Sequence, residues 1–145
     1  MNGHMVVDAS VATKWLVEET DTKAAESLSR WWNQNNVFPA APHLLLIEVA
    51  NALFQRVKRG EFSADDAGSR MQRLLATGVE FHAPSDLYSE AISLASQLRL
   101  GASYDAHYLA LAESLDCEYW TADERFHNSV NPTYARVRSL SSFTG

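Results

Sequence analysis

SYDAHYLALAESLDCEYWTADERF, Ser103 to Phe126, is the stretch whose reading decides the fold. From Tyr104 to Leu115 the apolar residues Tyr108, Leu109, Ala112 and Leu115 recur three or four positions apart, marking one face of an amphipathic helix. Asp105 lies on that face. A carboxylate among core-facing residues is costly to bury, and the free N–H groups and dipole of a helix's first turn offset only part of the cost. Glu118-Tyr119-Trp120-Thr121 then reads as a strand ending at Ala122-Asp123. Asp123 therefore follows the carboxyl end of a strand, where open parallel α/β sheets bind their ligands. Each acid also has a plainer explanation, Asp105 as a first-turn acid behind a Ser103 cap and Asp123 as the cap of the next segment.

The same motif recurs at the start of the chain. Met5-Val6-Val7 is a short apolar strand followed by Asp8-Ala9-Ser10, and Val11, Ala12, Trp15 and Leu16 then take up helical spacing. Asp8 is thus a second acid at a strand's carboxyl end, again open to a capping explanation. Lys14 is expected in solvent. Met1 to His4 reads as a cloning remnant, so His4 is set aside and the domain is drawn as a single unit over residues 5–145. No secretory leader and no apolar run near the length of a membrane span is visible, and a lone Cys117 fits a reducing cytoplasm.

Between these ends the chain alternates strands and helices. Asp21 to Asn35 is a helix whose Trp31 and Trp32 mark core or an interface. Val37 to Ala40 is a strand, and Pro42 opens a helix, His43 to Arg59, on which Leu44, Leu45, Ala52 and Gln55 share a face with Glu48. Glu48 is interior to its helix, so capping does not account for it; Asn51, three residues on, is close enough to bond it or a shared ligand. The basic end of that helix, Arg56-Val57-Lys58-Arg59-Gly60, complements its dipole and is also a candidate phosphate patch. Ser63 to Thr77 forms a helix with Arg70 and Arg73 in solvent, Val79 to His82 a third strand, Pro84 to about Arg99 a helix, Glu124 to Val130 a turn or two of helix, and Tyr134 to Leu140 an edge strand. The expected class is α/β, a largely parallel sheet with helices on both faces.

Parallel strands place their carboxyl ends on one edge, which gathers Asp8, Glu48, Asp105 and Asp123. Four converging carboxylates raise one another's pKa unless counter-charge is supplied. Oxygen donors without Cys or His point to Mg2+ or Mn2+ rather than zinc. The chain carries 12 basic and 18 acidic residues, a net charge of −6, which argues against a large phosphate-binding surface unless metal offsets some of the acids. His107 lies on another helix face from Asp105, and His43, His82 and His127 show no pairing pattern. A phosphatase of the haloacid dehalogenase type would need a second aspartate where Ser10 stands, and no glycine-rich phosphate loop is present.

In order and spacing, Val6-Val7-Asp8-Ala9-Ser10, Glu48-Val49-Ala50-Asn51, Tyr104-Asp105-Ala106 with Leu109-Ala110, and Thr121-Ala122-Asp123 resemble the acidic motifs of PIN-domain ribonucleases, most closely the VapC toxins of bacterial toxin–antitoxin pairs. The resemblance implies a PIN-like sheet of about five parallel strands, Asp8, Glu48, Asp105 and Asp123 as catalytic metal-site acids, and Ser10 and Thr121 as supporting hydroxyls, to which the helical spacing adds Asn51. It implies a cytoplasmic Mg2+-dependent endoribonuclease toxin, Mn2+ being a substitute ion, in which a water of lowered pKa attacks an RNA phosphodiester, transfer RNA being a candidate target. It also implies a cognate antitoxin and a homodimer, with Trp15, Trp31 and Trp32 as surface candidates. Some members carry a further acid a few residues after the fourth; here Glu124 is adjacent to Asp123 and points elsewhere, which leaves a second metal open. The rival reading is a non-catalytic PIN-like module that binds RNA or protein.

Overall fold

The computed structural model describes residues 3–144. Its order is β1 (His4–Val7), α1 (Ala9–Ala12), a 3-10 turn (Thr13–Trp15), α2 (Thr22–Gln34), β2 (Phe38–Ala41), α3 (Leu44–Lys58), α4 (Ala64–Leu75), β3 (Glu80–Phe81), α5 (Leu87–Gln97), α6 (Tyr104–Leu115), β4 (Tyr119–Thr121), α7 (Glu124–Val130), β5 (Val137–Ser139) and a closing 3-10 turn (Leu140–Ser142). The five strands form one sheet in the order β3-β2-β1-β4-β5, every pairing parallel. Parallel neighbours require crossovers, and the helices that make them cover the sheet.

Side-chain alternation along β1 divides the core in two. Val6 faces a cluster with Leu45, Val49 and Leu53 of α3, Leu74 of α4, Ala91 and Leu94 of α5, and Tyr108 to Ala112 of α6. Met5 and Val7 face a smaller cluster with Ala25, Leu28 and Trp32 of α2, joined by Trp120 and Leu140. The central strands are buried on both faces, which is why they read as unbroken apolar runs.

Several elements differ from the sequence reading. β1 begins at His4, which pairs with Phe38, one residue before the drawn domain boundary; Met1, Asn2 and Gly145 lie outside the described residues. Trp32 is 1% exposed and Trp15 packs edge to face on it with ring centroids 6.0 Å apart, so these two serve the core rather than a docking surface. The buried stripe of α3 is Leu45, Val49 and Leu53, which places Glu48 on the flank of the stripe instead of within it. Arg70 and Arg73 are not simply solvated: both donate to the Leu16 carbonyl, and the Arg70 guanidinium lies 4.4 Å from the centre of the Phe62 ring. Lys14 is paired as well, with Glu19 at 3.2 Å. The basic end of α3 is engaged too, Arg56 with Glu19 and Glu61 and Arg59 with Glu61, which takes both arginines from the candidate phosphate patch.

Candidate active site

All strands run the same way, so Asp8 after β1 and Asp123 after β4 emerge from neighbouring strands at one edge of the sheet. Both are helix caps. Asp8 Oδ1 accepts from the backbone N–H groups of Ser10 (3.0 Å) and Val11 (3.4 Å), and Asp123 Oδ1 accepts from Phe126 N–H at 3.0 Å. The capping and the site readings are therefore compatible, because a carboxylate has more acceptor positions than a cap uses.

Asp8 is 5% exposed and holds its charge with help. The Ser10 hydroxyl also donates to Asp8 Oδ1, and the Tyr119 hydroxyl donates to Oδ2 at 2.7 Å. Burial pushes the Asp8 carboxyl above its usual range, while the hydrogen bonds from Ser10, Thr121 and Tyr119 pull the other way. Ser10 Oγ in turn accepts from Ala122 N–H at 2.8 Å and lies 3.3 Å from Thr121 Oγ1, which accepts from Asp123 N–H at 3.1 Å. Ser10 and Thr121 thus stitch the ends of β1 and β4 together behind the two acids.

Glu48 reaches the site from α3 and accepts from the Tyr108 hydroxyl of α6. Its carboxyl is raised by burial and by the Asp8 charge, against the opposing effect of the Tyr108 bond and of His107. Asp105 is different. Its cap residue Ser103 makes no side-chain cap bond, and among the described residues no donor is assigned to the Asp105 carboxylate. Burial first, and then the charges of Asp8, Asp123 and Glu48, push its pKa up to about 6. Asp105 is thus the acid on which the charges of the other three converge. Asn51 stays outside this group: exposed on α3, its Oδ1 accepts from Gln55 Nε2 at 3.4 Å, with no bond to Glu48.

The carboxylates are near enough to repel but are not drawn into a tight cage. Among the described residues, the one set of three or more ligating atoms lying within 4.8 Å of one another is His4, Glu80 and His82, elsewhere on the sheet. Two tyrosine hydroxyls engage Asp8 and Glu48. An all-oxygen donor set with one unpartnered carboxylate suits a hard divalent cation. Glu124 turns away, accepting from the hydroxyls of Ser139 and Ser141.

Beside the acids lies a cleft of about 410 Å³ lined by Asp105 and Asp123, with Arg99, Tyr104 and Arg125 among its walls. Arg99 and Arg125 are exposed. Reading the sequence did not find Tyr108, Tyr119, Arg99 or Arg125. Tyr108 had a signal, since it follows Asp105 by three residues on one helix face; Tyr119 and the two arginines are brought in only by the packing.

A family model described as PIN domain matches residues 5–129. Ribonuclease VapC3 of Pyrobaculum aerophilum is 31% identical, over 88% of this chain and 98% of that protein. Ribonuclease VapC9 of Mycobacterium tuberculosis is 30% identical, over 86% of this chain and 90% of that protein. Among solved structures, PAE2754 from Pyrobaculum aerophilum superposes with a TM-score of 0.66 at 22% identity, covering 98% of this chain and 94% of its own. VapC20 of Mycobacterium tuberculosis, described as a sarcin-ricin loop cleaving toxin, gives 0.65 at 18% identity, covering 92% and 98%. The two structural likenesses bear on the fold.

Proposed function

We infer the activity of this chain, which belongs to the PIN-domain family and within it to the VapC ribonucleases, to be that of a divalent-metal-dependent endoribonuclease toxin of a toxin–antitoxin pair. The observation that carries the reading is the convergence of the Asp8, Glu48 and Asp123 charges on Asp105, beside an arginine-flanked cleft. Mg2+, with Mn2+ as a substitute, fits an all-oxygen set of this kind. Bound there, the cation supplies charge against a developing oxyanion and a lowered pKa for attacking water.

The chain's own residues do the rest. Asp8, fixed by Ser10 and Tyr119, presents an oriented carboxylate; Glu48 and Asp123 flank it, and Asp105 carries the negative charge most in need of neutralisation. Arg99 and Arg125 line the cleft with Asp105 and Asp123 and would take phosphates of an RNA strand bound there. No side chain is needed as nucleophile or histidine base. His107 is occupied, its Nδ1 lying 2.7 Å from the Ser103 carbonyl oxygen.

The same reading gives a unit over residues 5–145, a cytoplasmic setting, transfer RNA as a first target to try, a homodimer and a cognate antitoxin. Among the described residues no helix is long and apolar enough to cross a membrane. Exposed Ile47 and Phe54 of α3 and Tyr88 and Ile92 of α5 supply the apolar surface that partners need, a role Trp15 and Trp32 do not fill.

Incubation of total RNA with the purified protein tests the reading. Cleavage with Mg2+, its loss in EDTA, and its loss in Asp8→Asn and Asp123→Asn are the expected results. RNA binding without cleavage in Mg2+ would instead favour the non-catalytic module, and cleavage surviving EDTA would remove the metal from the mechanism.

A further inference from the structure

We propose that His4, Glu80 and His82 form a second metal site, selective for a zinc-class transition cation, that clasps the first strand of the sheet to its β3 edge. The inference does not rest on the nuclease reading. His4 opens β1 and pairs with Phe38 of β2; Glu80 lies on β3, opposite Ala40 of β2; and His82 continues β3, its N–H donating to the Ala41 carbonyl at 3.1 Å. Two strands already held by the sheet, β1 and β3, therefore deliver three side chains over β2 between them. His4 and His82 both aim Nε2 at Glu80 Oε1, at 3.0 and 3.2 Å, and all three ligating atoms fall within 4.8 Å of one another.

The two histidine–carboxylate separations are those of neighbouring donors on a metal ion. With metal–ligand bonds near 2.0–2.1 Å, tetrahedral zinc sets neighbouring donor atoms about 3.3 Å apart. Two imidazole nitrogens and one carboxylate oxygen are a known zinc donor type, whereas Mg2+ prefers oxygen and retained water. The imidazole rings meet edge to face, 89° apart with centroids at 5.6 Å. Side-chain exposures of 28% for His4, 30% for His82 and 43% for Glu80 give an ion access and leave a fourth position to solvent. Without metal the same groups make a hydrogen-bonded cluster that holds the Glu80 carboxyl below its usual range. That cluster is the competing explanation.

The site is separate from the acidic cleft. His4 is at the amino end of β1 and Asp8 follows its carboxyl end, about 13 Å away at the rise of a strand. The sequence reading set His4 aside with a cloning remnant and found no pairing for His82; strand order alone brings His4 to Glu80 across 76 positions. Filling the site would add a link between β1 and β3 that the folded state has and the unfolded chain lacks.

The test uses metal-stripped protein in excess Mg2+, titrated with Zn2+ against a chromogenic zinc indicator, with thermal melts in parallel. Wild type should withdraw one equivalent and melt higher with zinc. His4→Ala, His82→Ala and Glu80→Gln should each weaken uptake by about tenfold or more, since even removing a group that only hydrogen-bonds a ligand costs that much. Asp105→Asn should bind zinc as wild type does, which separates this site from the nuclease reading. No withdrawal by wild type, or equal uptake by His82→Ala and wild type, would overturn the proposal and leave a histidine–carboxylate cluster only.

Discussion

The hydroxyl of Tyr119, a fully buried residue of β4, donates at 2.7 Å to Oδ2 of Asp8, the acid that follows the adjacent strand β1. One short strand thus supplies core volume with the ring and a donor for the most deeply buried acid with the hydroxyl. Asp8 keeps its other oxygen for Ser10 and Val11.

Replacing that donor tests what it does for the acid. Tyr119→Phe keeps the ring but leaves Asp8 Oδ2 in a buried place without its bond, a loss of roughly 1–3 kcal/mol. The loss should be larger at pH 8 than at pH 4, because rising pH favours the charged form that the hydroxyl's bond stabilises. Urea unfolding at the two pH values measures it; midpoints equal to wild type at both would mean that Asp8 needs no donor from β4.

Asp105 gives a pH dependence with a definite sign. Its folded pKa of about 6 lies above the ordinary 3.8, so the native state holds the proton more tightly than the unfolded chain does. Its contribution is fully present below pH 3.8 and is lost as pH rises through about 6. In EDTA, wild type should therefore lose stability relative to Asp105→Asn as pH is raised from 4 to 7. Added Mg2+ at neutral pH should restore wild type more than the variant. Melting curves of both proteins, with and without Mg2+, decide it, and parallel pH profiles would remove Asp105 from the cluster of charges.

Ser10 links two strands and an acid through one oxygen. Ser10→Ala deletes the donor to Asp8 and the acceptor for Ala122 N–H together, so a destabilisation of about 1–3 kcal/mol is expected. RNA cleavage should fall with it, because both Asp8 and the end of β4 lose their tether. Chemical denaturation and a cleavage assay on the same preparation check the two effects.

Asn51 separates spacing from geometry. It is exposed and bonded to Gln55 instead of Glu48, so Asn51→Ala should change stability by no more than about 0.5 kcal/mol. The thermal shift produced by Mg2+ should match that of wild type. A reduced shift would return Asn51 to the ligand set.

The acids and the parallel sheet were legible because they rest on local patterns. Apolar strands followed directly by Asp8 or Asp123, and α6 running from Tyr104 to Leu115, follow from period and punctuation along a few residues. The buried strands of a parallel sheet carry their signal without partners, and parallel direction alone sends their ends to one edge. The place of Glu48 was harder: its stripe was drawn through Leu44, Leu45, Ala52 and Gln55, whereas the residues buried are Leu45, Val49 and Leu53, with Glu48 on their flank. Helical spacing names several overlapping faces, and only the neighbour decides which is buried.

What the sequence by itself determined is a placement: four carboxylates without a cysteine or histidine among them, at positions that strand direction brings toward one sheet edge. Tertiary structure alone decided which groups answer those charges. Tyr119 reaches Asp8 across 111 positions, Tyr108 reaches Glu48 across 60, and His4 meets Glu80 across 76. Such pairs are set by strand order and helix packing, which bring residues together with no trace in local spacing. The tryptophans show the same division from the other side, since an amphipathic pattern marks Trp32 as apolar but cannot say whether the sheet or a partner covers it; here the core does.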